Sequence, residues 1–101
     1  MNIPFFAGRY LYFADIPDKY ISDRRKIITD LEKELSIAIK QRDKSYSKLT
    51  NDGYITAMSE KGMWDELALE DKKLEDAQSR ARNAQICIDA LKKMYPELAT
   101  N

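Results

Sequence analysis

Cys87, flanked by Ile86 and Ile88, is the chain's lone thiol and its first candidate nucleophile. A reactive cysteine needs its thiolate, which a neighbouring cation or histidine stabilises. No cationic cluster adjoins Cys87, and the chain contains no histidine. The residue therefore reads as a small buried apolar side chain. The missing histidine also removes the usual neutral-pH acid/base, the Ser–His and Cys–His pairs, and the commonest zinc ligand.

The other chemistry-bearing clusters reduce in the same way. Glu70, Asp71, Glu75 and Asp76 could be read as metal ligands or as an acid/base pair, but a di-metal helical site wants Glu-x-x-His pairs. They read as a solvated acidic face. Arg24-Arg25-Lys26 could touch phosphates, yet Asp18, Asp23 and Asp30 lie within a turn or two, and Lys plus Arg balance Asp plus Glu at 17 each. Asn51-Asp52-Gly53 lacks the alternating carboxylates of a calcium loop and reads as a turn. Gly53 and Gly62 are followed by no Gly-Lys-Ser/Thr, so no phosphate loop is expected. The expectation is a non-enzyme with no catalytic, cofactor-binding or metal residue, no cofactor, and no small-molecule or nucleic-acid partner.

What remains is suited to protein contact. Half of the chain's aromatics lie in residues 1–15, as Phe5, Phe6, Tyr10, Tyr12 and Phe13. Ile37 and Ile39 stand off the main apolar pattern, and Trp64 follows Met63 at the start of a helical stretch. Aromatic anchors of this kind dominate binding hot spots. Phe5, Phe6, Tyr10, Tyr12, Phe13, Ile37, Ile39 and Trp64 are the candidate interaction residues.

The elements that must position them follow from spacing. From about 16 to 50, Ile21, Ile28, Leu35, Arg42 and Leu49 recur at seven residues, with Arg24, Leu31, Ala38 and Ser45 three further on. Asp15, Pro17 and Asp18 suit the start of that helix, and Asn51 to Gly53 its end. From about 63 to 95, Leu67, Leu74, Ala81, Ile88 and Tyr95 repeat the step, joined by Glu70, Ala77, Ala84, Leu91 and Leu98. Pro96 should end this second helix. Residues 1–50 carry 10 basic and 7 acidic side chains and residues 51–101 carry 7 and 10, so the two seams suit each other if the chain folds back near 56–58.

These spacings predict an all-α fold: an antiparallel, coiled-coil-like hairpin of two helices over 16–101, with 1–15 an extended aromatic arm. A lone strand has no partner in a helical chain, so the arm is expected to dock on a neighbour or, secondarily, to strap its own helices, with oligomerisation or a partner completing the fold. Arg9 interrupts the N-terminal apolar run, which lacks a basic start, so no signal peptide is expected. No run approaches the roughly 20 apolar residues of a membrane span. The expected location is the cytoplasm, with incorporation into a virion as a variant. The function expected is a protein–protein interaction or structural role, such as a phage or mobile-element virion or assembly component docking through its arm. The alternatives are a small soluble inhibitor of one host protein, acting through Trp64 or Ile37–Ile39, and an interfacial membrane binder acting through Phe5 and Phe6.

Overall fold

The protein was analysed as a computed structural model in which residues 1–99 are described. Strands β1 (Asn2–Ala7) and β2 (Tyr10–Asp15) precede a single 3-10 turn, Asp18–Tyr20. Helices α1 (Arg24–Leu49), α2 (Asp52–Glu60) and α3 (Trp64–Met94) follow, and a second 3-10 turn spans Pro96–Ala99.

The all-α, two-helix expectation is therefore wrong in two places. The first is the arm, which does not wait for a partner. It turns at Gly8-Arg9 and pairs with itself, antiparallel, from Asn2↔Asp15 to Ala7↔Tyr10. Gly8 adopts φ 64°, and among the described residues only glycines have a positive φ. Glycine first in a two-residue loop, with ordinary φ second, is the sign pattern of a type II′ turn, whose twist matches that of the strands it joins. Met1 and Ile16 exchange backbone bonds at 2.8 and 2.9 Å. Bonded and non-bonded pairs alternate from there. Pro4↔Phe13 is thus a non-bonded pair, and the N–H that proline lacks is not needed by the ladder.

The second correction is the connection at 51–62, which is helical rather than a simple reversal. The Asn51 side chain accepts a hydrogen bond from the Tyr54 N–H at 3.0 Å, capping α2. Gly62, at φ 68°, ends it in a Schellman motif: the Gly62 N–H donates to Ser59 O and the Met63 N–H to Met58 O. Gly53, expected to help end the first helix, lies in the first turn of α2.

The start of α1 is also later than expected. Pro17 and Asp18 open only the 3-10 turn, after which Ile21 is extended. The effective cap is Asp23, whose carboxylate accepts from the Arg25 N–H at 2.9 Å. Helix α3 begins and ends within a residue of its expected bounds, stopping before Pro96.

The chain divides into two compact units. In the first, Met1–Leu35 with the chain from Arg82 onward, Ile28, Leu91 and Leu98 form the buried centre, with Met1, Ile27, Leu31 and Tyr95 packed against it. Ala84, Cys87 and Ile88 are buried there too. In the second, Ser36–Ala81, the buried apolar side chains are Ala38, Ala77 and Ala81, alongside Ser45 and Glu70. The Glu70 carboxylate lies 3.8 Å from Lys48 and 3.9 Å from Lys73, and Gln41 donates to the Ser45 hydroxyl at 2.9 Å. The hydrogen bond satisfies the Ser45 hydroxyl, and the two lysine charges offset part of the cost of burying the Glu70 carboxylate.

Candidate protein-interaction surface

The hairpin gathers five of the eight candidate residues into one element. Its register puts Phe5, Tyr12, Ala7 and Tyr10 on one face, and Pro4, Phe13, Phe6 and Leu11 on the other. Phe5 and Tyr12 form a directly opposed pair and stack, with ring centroids 5.8 Å apart and planes inclined at 28°. Such pairs add about 0.5–1.5 kcal/mol beyond area burial. They stay partly in water: Phe5 is 43 % exposed, Tyr12 48 % and Tyr10 68 %. On the opposite face Pro4 is buried, Phe6 and Leu11 are half-buried, and Phe13 is 51 % exposed.

The base of the hairpin is anchored within its own unit. Met1 packs on the Ile28–Leu91–Leu98 centre. The Asn2 N–H donates to the Tyr95 hydroxyl at 2.7 Å, and the Arg24 guanidinium sits 5.6 Å over the Tyr95 ring. Asp18 receives the Met1 ammonium at 3.4 Å and Arg24 at 3.0 Å. The hydrogen bond from the ammonium, followed by the charge of Arg24, holds the Asp18 carboxyl below the usual carboxylate range. Ile3, Ile16, Tyr20, Ile21 and Ile27 border a groove of about 270 Å³ beside this anchor.

The other three candidates lie in the second unit. Ile37 is exposed and Ile39 half-buried on α1, and Trp64 is exposed at the start of α3. Two contributors escaped the sequence reading. Tyr20 is exposed, with the Lys19 ammonium 5.0 Å from its ring centroid. Tyr95, assigned there only to a helix seam, closes part of the β1 edge. The signal that could have revealed the hairpin is Gly8-Arg9 between two β-leaning runs.

Cys87 is buried, and burial pushes its thiol above the ordinary range, which lowers its thiolate fraction. Among the described residues no group of three or more His, Cys, Asp or Glu side chains could hold a metal ion. No helix among the described residues is long and apolar enough to cross a membrane. The chain is a small α/β domain with an exposed aromatic hairpin, rather than a coiled-coil hairpin. Comparison with family models, curated proteins and solved structures finds no match in any of the three, and the expectation of a phage or virion component, with nothing in fold or comparison to carry it, is dropped.

Proposed function

We propose that the protein is an interaction domain whose N-terminal hairpin is the docking element. The observation that carries this reading is the concentration of Phe5, Tyr10, Tyr12 and Phe13, each 43–68 % exposed, on one two-stranded element. Burying the exposed half of each side chain in a complex would contribute about 0.7–1.5 kcal/mol. Because the hairpin is already folded and anchored through Met1 and Tyr95, docking would carry little of the ordering cost that a disordered arm incurs. The α/β architecture supports a protein-contact role in general, and the hairpin makes it specific.

The test is site-specific photo-crosslinking in the cells that make the protein. A photoreactive side chain at Tyr12 or Phe13 should give one discrete polypeptide adduct, while the same probe at Lys33, exposed on α1, gives none. Adducts from Ile37 or Trp64 but not from the hairpin would move the docking surface to the helices and refute this reading.

A further inference from the structure

We infer that the outer edge of β2 pairs with β2 of a second copy of this chain, antiparallel about Tyr12; the inference rests on the hairpin being the docking element. The two edges of the hairpin are unequal. On β1 the outward positions are Asn2, Pro4 and Phe6. The Asn2 N–H is taken by the Tyr95 hydroxyl at 2.7 Å and Pro4 has none, so that edge offers only the Phe6 N–H. On β2 the outward positions are Leu11, Phe13 and Asp15, and no hydrogen bond within the described residues reaches their backbone N–H groups. The strand contains no proline and a single charged residue, Asp15. An open, aromatic, proline-free edge of six residues is a template for strand addition.

Charge and aromatic continuity identify the occupant. Turned antiparallel on a two-fold axis at Tyr12, two β2 strands set Leu11 against Phe13 of the second copy, in bonded pairs. They set Arg9 against Asp15 of the second copy at both ends. Arg9 is exposed, and the Asp15 side chain is 85 % exposed, with the Met1 ammonium 3.6 Å away. On one face the Phe5–Tyr12 stack continues into Tyr12 and Phe5 of the second copy, four aromatics across four strands. On the other, the exposed Phe13 gains Leu11. The alternative two-fold register, centred on Phe13, sets Asp15 against Leu11 and leaves Arg9 unmatched.

Sedimentation equilibrium on the full chain, from micromolar to near-millimolar concentration, tests this. The wild type should show a reversible monomer–dimer equilibrium. Phe13→Pro should abolish the dimer with helicity unchanged, because the lost N–H faces outward and the pair it makes with Pro4 needs none. Arg9→Asp alone and Asp15→Arg alone should each weaken the dimer by about tenfold or more, since like charges then meet at both ends. An equimolar mixture of those two variants should recover it, because each charge meets its opposite in the mixed pair. A wild type that stays monomeric throughout overturns the inference, and a hairpin-dependent adduct with a different polypeptide would then leave the docking reading standing. A dimer indifferent to all of these substitutions overturns the inference as well. If it also survives Tyr10→Ser with Tyr12→Ser, the docking reading falls with it.

Discussion

Leu91→Ala is the substitution whose cost the structure fixes most closely. Leu91 is 0 % exposed and sits with Ile28 and Leu98 at the centre of the first unit, ringed by Met1, Ile27, Leu31 and Tyr95. Deleting a fully buried leucine to alanine costs about 2–5 kcal/mol, the upper part applying where neighbours cannot collapse into the space. Here Ile28 and Leu31 are held on α1 and Leu91 on α3, so the cavity should persist. About 3 kcal/mol or more is expected, and a domain of this size loses roughly 4–8 °C of melting temperature per kcal/mol. The predicted fall is therefore about 12–25 °C by far-UV circular dichroism. Leu69→Ala, at a residue 51 % exposed, is the control and should cost under about 1 kcal/mol. If the two variants melt together, Leu91 is not the centre of a core, and the anchoring of the hairpin through Met1 fails with it.

Further outcomes follow from single features. Gly8→Ala should cost about 1–2 kcal/mol of hairpin stability although nothing lies within 4 Å of the added methyl, because φ 64° disfavours any Cβ; strand amide shifts in NMR report it. Lys48→Ala combined with Lys73→Ala should cost roughly 1–3 kcal/mol in urea unfolding, because it leaves the buried Glu70 carboxylate without its cations, whereas Glu70→Leu should cost less. Cys87 should react slowly with a thiol reagent in the native state and quickly once unfolded; rapid native labelling would place it at the surface. Asp18 should titrate below the ordinary aspartate value, so its contribution to stability is present above that value and lost as pH falls through the depressed one. Arg24→Ala should move the carbon-13 titration midpoint of Asp18 back upward.

The helical seams were legible because burial leaves a seven-residue imprint. Ile28, Ala38, Ser45, Ala77, Ala81, Ala84, Ile88, Leu91 and Leu98 all stand on the expected rows and are all buried. Glu70 stands on those rows too, but the sequence placed it on a solvated acidic face and the structure buries it beside Lys48 and Lys73, correcting that reading. The burial of Cys87 was legible from its apolar neighbours. The β-hairpin was not read, because its two strands share one aromatic run, the only break is Gly8, and Pro4 resembles a strand breaker until its non-bonded position is known. Helix α2 was hidden by Gly53, which reads as a terminator in sequence but sits where the Asn51 cap has already fixed the first turn. Of the candidate residues, the five aromatics carry their own signal in composition, whereas which edge of the hairpin is open depends on Tyr95, far away in sequence and invisible to any local pattern.

Residue-resolved amide hydrogen exchange of the hairpin, followed as a function of protein concentration, tests the central claim most directly. In dilute solution the inward N–H groups of Tyr10, Tyr12 and Ala14 should be protected and the outward ones of Leu11 and Phe13 should exchange freely, a strict alternation along β2. As concentration rises, Leu11 and Phe13 should gain protection while Asn2, already bonded to Tyr95, changes little. Uniform exchange along β2, or Leu11 and Phe13 protected at the lowest concentration, would contradict the account.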